Sequence, residues 1–338
     1  MPGIVGVIVN PIAGKDIRRL VTAASHTSDG AKVDIVRRAV IAALESGAER
    51  VLLASDPHHL ADRAIVGLSD RAQILDTVIH GERDDTIAAA TRMWKEEVDV
   101  LIVLGGDGTC RDVALGWPDA RVIAISTGTN NVYPSPVDAT SAGAAAGLVA
   151  TGAIDAPRVF RRSKRIVTTI ASTAGIIDDL ALVDLALIDT AFVGSRAVLD
   201  PAAVRLVIAS TASPATTGLS SIAGRVHPVD RWAPGGVLVR LGRGGRPVRV
   251  PLAPGSFTTV EVTEIVPLAD GQTVELQGPG VLAFDGERDR RIGDDVRVSA
   301  RVESSGPIII DVEAVLLAGA AHRLFDADHT QHSKLGGP

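Results

Sequence analysis

Cysteine, aromatic side chains and long apolar runs are all scarce in this chain of 338 residues. The single cysteine, Cys110, excludes an internal disulfide and is typical of a reducing cytosol, so we expect a cytoplasmic protein. Aromatic residues make up 3% of the chain, so the core must come mainly from Ala, Val, Ile and Leu. No uncharged stretch reaches the roughly 18 apolar residues that a membrane-spanning helix requires.

An excess of positive charge is lacking as well, because the formal net charge is −6 at pH 7. Nucleic acids and anionic membranes attract clustered Lys and Arg, so we expect neither as the main partner. The start of the chain, MPGIVGVIVNP, has no charged segment followed by a long apolar segment, so it is not typical of a signal peptide. These absences favour a globular protein of two domains that acts on a small molecule.

Short β-branched runs alternate with helical stretches in the first half of the chain. The helix candidates are AKVDIVRRAVIAALESG, whose apolar stripe ends before Gly47, and DDTIAAATRMWKEEV, which starts on acidic residues. This alternation predicts an α/β amino-terminal domain, residues 1–155, with a parallel sheet covered by helices on both faces. The strand candidates are Gly3–Asn10, Arg50–Ser55, Ala72–Thr77, Val98–Leu104 and Arg121–Ser126.

From Ala156 onward, helical stripes become rare and strand-length segments dominate. Alternation such as Val260-Glu261-Val262-Thr263 is typical of half-buried antiparallel strands. Turns are expected at PGG, GRGGRP, APGS and ADGQ, and PIIIDVEAVLL is taken as a late strand. We therefore predict a β-rich, sandwich-like second domain over residues 156–322, followed by a polar tail over 323–338.

The apolar run VDVLIVL is followed at once by GGDGT, residues Gly105–Thr109. In parallel α/β sheets, ligands bind beyond the carboxyl ends of the strands, and this turn lies at that edge. The glycines allow a close approach of the backbone, and a helix that starts here favours an anion at its amino terminus. The pattern suits a nucleotide polyphosphate, although it is neither a Walker A loop nor a G-x-G-x-x-G fingerprint. The alternative is that Asp107 only caps a strand-to-helix turn.

Three further polar turns have the same character. The first strand ends in NPIAGK, residues Asn10–Lys15, and the strand after GGDGT ends in STGTNNVYP, residues Ser126–Pro134. In the β-rich half, AFDGERDRR places Asp285 and Glu287 around a glycine. Turns that follow parallel strands meet at one edge of the sheet, so we expect these segments to converge on one ligand site.

NP-x-x-G-K, GGDGT, a Gly-Thr-Asn turn and a late DGE together resemble the superfamily of NAD kinases and bacterial diacylglycerol kinases. NPIAGKDIRRL, STGTNNVYP, GLSSIAGRVHP and AFDGE resemble in particular the acetoin-catabolism protein X family, which is ATP-NAD kinase-like. The resemblance spans nearly the whole chain. It implies an α/β domain followed by a β-sandwich-like domain, ATP and Mg²⁺ as cofactors, and a homodimer or homotetramer.

The same resemblance implies roles for individual residues. Asp107 becomes the catalytic acidic residue of the kinase motif, placed at the phosphates and the metal or the attacking hydroxyl, and Glu287 corresponds to the proposed base of the lipid kinases. The acceptor site would contain Ser220, Ser221, His227 and Asp285. The nucleotide site would contain Asn10, Lys15, Gly105, Gly106, Gly108, Thr109, Thr127, Gly128, Thr129, Asn130 and Asn131.

The chain departs from NAD kinases at the acceptor site. Their T-P-T-G-S-T-A-Y segment corresponds to STASPATTGLSSIAGRVHP, residues Ser210–Pro228, which lacks the tyrosine and the T-P-T-G order. No Asn–acid pair is evident near DDLALVDLALIDT. Two functions therefore stay open: a kinase that phosphorylates a hydroxyl of NAD or of a small hydroxyketone or polyol, and a non-catalytic regulatory protein that binds a nucleotide or NAD.

Overall fold

The computed structural model describes residues 3–13, 27–77, 79–81, 83–128, 131–190 and 201–326. Lys15, Thr129 and Asn130, which the sequence places in the nucleotide site, lie outside the described residues. So does most of the predicted tail, residues 327–338. Among the described helices, none combines the length and the apolar character that crossing a bilayer requires.

The amino-terminal half forms a parallel sheet, and all five strand candidates in it are confirmed. The first strand, β1 (Ile4–Val9), pairs with β2 (Arg50–Ala54) on one side and with β4 (Val100–Gly105) on the other. The order across the sheet is β3-β2-β1-β4-β5-β17-β6. The bounds are β1 Ile4–Val9, β2 Arg50–Ala54, β3 Ala72–Leu75, β4 Val100–Gly105, β5 Arg121–Ser126, β6 Phe160–Arg162 and β17 Ile308–Ile310.

Helices cover both faces of this sheet, as the alternation predicts. The first helix, α1 (Asp29–Glu45), is capped by the Ser28 side chain and ends before Gly47, whose φ of 102° a residue with a Cβ rarely adopts. Together with α5 and α7 it packs on one face, whereas α3 and α4 pack on the other. The remaining bounds are α2 Leu60–Ile65, α3 Arg83–Lys95, α4 Asp107–Gly116, α5 Ala139–Ala150, α6 Ser220–Val226 and α7 Val312–Ala321.

The second half is an antiparallel β-sandwich. Apolar side chains from both of its sheets, such as Ile166, Leu187, Leu238 and Val298, form one buried cluster between them. One sheet has the order β12-β11-β10-β9-β14-β15 and the other β13-β16-β7-β8. The bounds are β7 Arg165–Ser172, β8 Gly175–Ala181, β9 Asp184–Ile188, β10 Val204–Ala209, β11 Gly236–Ala253, β12 Ser256–Leu268, β13 Thr273–Gln277, β14 Gly280–Phe284, β15 Glu287–Ile292 and β16 Arg297–Glu303.

The chain returns to the first sheet near its end. Strand β17 pairs in parallel with β5 and antiparallel with β6, so it joins β6 to the edge of the amino-terminal sheet. The prediction of one strand over PIIIDVEAVLL is wrong beyond Ile310, because Asp311 accepts a hydrogen bond from the Ala314 N–H and starts α7. A domain boundary at residue 155 stays a prediction.

A second correction concerns GRGGRP, which we expected to be a turn between strands. Strand β11 runs through it, and Leu241 and Arg246 both pair with Val262, so the residues between them form a bulge. Gly244 has a φ of 82°, which explains the glycine there. The actual reversal is at APGS, where Gly255 has a φ of 71°.

Candidate active site

The GGDGT motif forms the junction of β4 and α4. Gly106 is the residue before the helix, with φ −108° and ψ −170°, and Asp107 is its first residue. A Cβ at Gly105 would lie 2.5 Å from Oγ1 of Thr109, and one at Gly106 would lie 2.9 Å from Oδ1 of Asn131. A side chain at Gly105 would therefore collide with Thr109, and one at Gly106 would displace the Asn131 amide, so the two glycines keep the helix start close to the turn after β5.

The turn after β1 is fixed to this junction by side chains. Asn10 donates from Nδ2 to Oγ1 of Thr109 at 2.8 Å. Lys32 of α1 is fully buried, and its ammonium donates to the carbonyl oxygens of Asn10, Pro11 and Ala13 at 3.1, 2.6 and 2.8 Å. The strand order of the sheet reverses between β1 and β4, and ligands of α/β sheets bind in the crevice at such a point. These contacts therefore fix one side of that crevice.

The turn after β5 is held by Asp107. The N–H of Val132 donates to both carboxylate oxygens, at 3.0 and 3.1 Å, and the N–H of Tyr133 donates to Oδ1 at 2.8 Å. Asn131 donates to the Ser126 hydroxyl at 2.8 Å. Asp107 therefore joins the helix to the turn as well as carrying a charge at the helix start.

Thr127 and Gly128 also border this crevice. The N–H of Thr127 donates to the Gly105 carbonyl at 3.3 Å. Its hydroxyl is buried and has no hydrogen-bond partner within the described ranges. A buried hydroxyl without a partner is unfavourable unless a ligand or a water molecule forms a hydrogen bond with it, so this atom indicates a polar ligand.

Glu287 reaches the helix start from the β-rich half. A Cβ at Gly108 would lie 3.5 Å from its Oε1, so the carboxylate stands over the first turn of α4. Its charge contributes to a raised pKa, about 6, for Asp112 one turn further along α4, where burial is the larger cause. The structure thus brings the GGDGT and DGE motifs together, although they are far apart in sequence.

Asp285 lies beside Glu287 in an unusual backbone conformation. Its φ is 51°, and its buried carboxylate accepts the N–H groups of Leu182, Val183 and Asp184 at 2.7 to 3.2 Å. Burial and the charge of Asp107 raise the pKa of Asp285 to about 7. The carboxylate is directed at the backbone that leads into β9, and its predicted role at the acceptor stays a prediction.

Asp107, Asp285 and Glu287 form an acid cluster together with Asp184, a residue that the sequence analysis missed. It starts β9, is 4% exposed, and accepts the N–H groups of Gly286 and Ser220. Its Oδ1 has no partner in the part of the chain that is described. Burial, followed by the charges of Asp285 and Asp107, raises its pKa to about 8. The signal was present in LALVDLALI, where a single carboxylate stands among apolar residues just where a fully buried strand begins.

The cations around the cluster are bound to protein groups. Arg111 donates to Asp179 at 2.7 Å and to the Leu180 carbonyl at 2.6 Å. Arg83 donates to Asp112 at 2.6 Å, and Arg231 donates to the carbonyl oxygens of Val132 and Tyr133. The crevice is therefore lined by acids, while these three arginines serve to connect its walls.

The structure places the predicted acceptor residues Ser220 and Ser221 in different surroundings. The Ser220 N–H contacts Asp184, so the start of α6 borders the cluster. The Ser221 hydroxyl instead donates to the carbonyls of Gly218 and Pro251 at 2.6 and 3.2 Å, inside the β-rich half. His227 ends α6, and its imidazole makes no hydrogen bond or ion pair with any described residue.

Two other groups at the site are packed rather than reactive. Cys110 is buried, as expected for a packing residue, and burial together with the Asp107 charge raises the pKa of its thiol. Tyr133 is 5% exposed, and its hydroxyl hydrogen-bonds Ser163 at 3.0 Å. Among the described residues, no three His, Cys, Asp or Glu side chains are grouped so as to hold a metal ion by themselves.

The α/β sheet with a motif-bearing crevice, followed by the antiparallel sandwich, defines a NAD kinase-like protein. The model of the ATP-NAD kinase amino-terminal domain matches residues 5–154, and that of the acetoin catabolism protein X carboxyl-terminal domain matches 164–305. The chain is 35% identical over 335 residues to acetoin catabolism protein X of Cupriavidus necator, covering 95% of this chain and 93% of the relative. It belongs to the acetoin catabolism protein X family.

Two solved structures are also similar. The crystal structure of yeast NADH kinase complexed with NADH has a TM-score of 0.56 and 16% identity, and the match covers 96% of this chain and 88% of that one. This likeness shows the shared fold. A putative diacylglycerol kinase from Bacillus anthracis str. Sterne matches over 91% of this chain and 98% of its own, with 13% identity and a TM-score of 0.38.

Proposed function

We propose that this protein transfers the γ-phosphoryl group of ATP to a hydroxyl of a small molecule. The observation that carries the proposal is the meeting of Glu287 with the start of α4, 3.5 Å from the Cβ position of Gly108. One wall offers helix N–H groups to phosphate and the other offers carboxylates to a hydroxyl.

In this proposal the nucleotide phosphates lie at the start of α4. Phosphoryl transfer needs little covalent help from a protein, which mainly positions the two oxygens in line and neutralises charge. The acceptor oxygen attacks the γ-phosphorus, the bond to the β,γ-bridging oxygen breaks, and ADP leaves with that electron pair. Glu287 accepts the hydroxyl proton as the new bond forms.

Mg²⁺ fits the chemistry of this crevice, which combines hard carboxylate oxygens with a need to offset phosphate charge. The described residues form no ready-made cage, which suits an ion that arrives with the nucleotide, keeps several waters and takes one or two carboxylates. Asp107 is the residue we assign to it, which leaves Glu287 to accept the proton. When bound, the ion would neutralise charge on the phosphate oxygens.

The acceptor that we favour is a small hydroxyketone or polyol, with NAD as the other candidate. Asp184 presents a buried oxygen without a partner among the described residues, which suits a hydroxyl donor. The rings of Tyr133 and Phe284, in two of the segments that form the crevice, are buried and offer no exposed face for stacking a base. The association of the Cupriavidus necator relative with acetoin catabolism, in its name, fits a hydroxyketone or the matching diol.

A second candidate function is a regulatory protein that binds a nucleotide or NAD without catalysis. The observation that favours it is the carboxylate of Asp107, which accepts the N–H groups of Val132 and Tyr133 and so has a structural task. If that task is its only one, the motif shapes a binding site and performs no chemistry.

An assay of phosphoryl transfer from γ-labelled ATP in the presence of Mg²⁺ distinguishes the kinase from the regulatory protein. The acceptors are NAD, acetoin, butanediol, short polyols and sugars, and diacylglycerol, and Asp107→Asn is compared with the exposed Asp119→Asn. We expect label in one small acceptor, a loss of at least ~100-fold in Asp107→Asn and normal transfer in the control. Binding of ATP without any labelled acceptor would favour the regulatory protein.

A further inference from the structure

Arg111 connects the GGDGT helix to the β-rich half. It lies one turn after Asp107 on α4 and is 3% exposed. Its Nη2 donates to Oδ1 of Asp179 at 2.7 Å, and its Nε donates to the Leu180 carbonyl at 2.6 Å. Both partners lie at the end of β8, so a single guanidinium joins two structural layers at two points.

The same guanidinium also contacts the segment before the DGE turn. Its carbon lies 4.3 Å from the centre of the Phe284 ring, and Phe284 precedes Asp285. Asp285 in turn accepts the N–H groups of Leu182 and Val183, immediately after the segment that Arg111 binds. Arg111 therefore contacts both strand ends that position the acids of the cluster.

The ion pair of Arg111 and Asp179 is poorly explained by stability alone. Both side chains are nearly fully buried, at 4% and 6% exposure. Removing two charges from water offsets most of their attraction, and apolar residues of similar volume often stabilise such a site equally well or better. What the pair provides is geometry, because the planar guanidinium binds through a fork of fixed directions.

We propose that Arg111 is a positioning residue that sets the distance between the start of α4 and the turn Asp285–Glu287. This inference rests on the proposed phosphoryl transfer, in which Glu287 must meet a hydroxyl at the helix start. The charge of Arg111 also lowers the pKa of Asp285 against the effect of burial. A displacement of about 1 Å is enough to reduce an in-line reaction about 100-fold.

The test compares Arg111→Lys, Arg111→Met and the double variant Arg111→Met/Asp179→Leu, with Arg162→Met as the control for a solvent-exposed ion pair. Unfolding temperature, kcat and KM for ATP are measured for each. Arg111→Met leaves the buried Asp179 with only the longer ion pair to Arg290, at 3.8 Å, so its unfolding temperature falls, and the double variant recovers it. We expect kcat of the double variant to stay about 100-fold low, with KM for ATP close to wild type and partial rescue in Arg111→Lys. Recovery of kcat together with stability would overturn the proposal.

A measurement without substrate keeps this inference separate from the proposed function. Spin labels are attached at Glu45→Cys in the amino-terminal half and at Glu275→Cys in the β-rich half, two exposed positions. Double electron–electron resonance then measures the distance between the two halves. The distance distribution should broaden in Arg111→Met and in the double variant and stay narrow in Arg111→Lys. An unchanged distribution in the double variant would refute the positioning role, whether or not the wild-type protein transfers phosphate. If the distances broaden but the wild-type protein transfers no phosphate, the proposed kinase activity is rejected and the positioning role of Arg111 stands.

Discussion

Replacing Asp184 by Asn should stabilise the protein at alkaline pH and leave its stability nearly unchanged at acid pH. Burial raises the pKa of this carboxyl to about 8 from the ordinary 3.8. Between these two values the unfolded chain has released the proton and the folded chain still holds it. The folded state therefore loses stability as pH rises through this window, by about 1.4 kcal/mol per pH unit for one group.

The expected magnitude follows from the same difference. Over the full window, from 3.8 to about 8, the loss is on the order of 6 kcal/mol. Asparagine has no proton to release and resembles the protonated acid in shape. Because Oδ1 of Asp184 has no described partner, the N–H groups of Gly286 and Ser220 converge on the other oxygen, which the amide oxygen replaces.

Urea unfolding followed by circular dichroism from about pH 5 to about pH 9 measures the effect, because the slope of stability with pH reports the difference in bound protons. The gain of Asp184→Asn over wild type should grow with pH and reach several kcal/mol near pH 8. Asp119→Asn, a carboxyl 74% exposed, serves as the control and should follow wild type at every pH. A constant difference at both ends of the range would refute a carboxyl that is held neutral by the fold.

Two further predictions concern the side of the crevice where we place the phosphates, which the start of α4 and the turn after β1 form. Lys32→Met leaves one buried and two partly buried carbonyls without their donor, so we expect a loss of about 1–3 kcal/mol in the free energy of unfolding and weaker ATP binding by calorimetry. The exposed Lys95→Met should change neither, and equal behaviour of the two variants would contradict the role of Lys32. Gly108→Ala places a methyl group 3.5 Å from Glu287, an ordinary contact, so folding should be normal while ATP affinity falls about tenfold. Unchanged affinity, as expected for the control Gly30→Ala, would show that phosphate does not approach this helix start.

The acid cluster illustrates how a site can conflict with stability. Asp184 and Asp285 both have a pKa raised by burial, to about 8 and about 7. Their ionised forms are unfavourable in the folded state at neutral pH, and amides of the same shape would avoid this penalty. Buried acids with raised pKa values concentrate at functional sites, which agrees with the function we propose.

Much of the fold was predictable because its signals are local. The runs at Ile4–Val9 and Val100–Gly105 are short, rich in β-branched residues and followed by polar turns, which favours strands over helices, and Gly47 marks the end of α1 through its backbone. The late segment Ile308–Ile310 was different. Three apolar residues followed by a helix cap carry too little information to choose a sheet, and only long-range packing places them beside β5.

The sequence by itself determined the architecture, the family resemblance and the motif residues at the strand ends, because parallel strands deliver their turns to one edge. Only the tertiary structure decided which carboxylates share a crevice and which cations connect its walls. Lys32 and Arg111 carry no motif and Asp184 is marked only by its apolar neighbours, so none of the three shows its role until its partners are known. Those partners lie up to about a hundred residues away, as Asp184 and Asp285 do, so chain folding and burial assign the role.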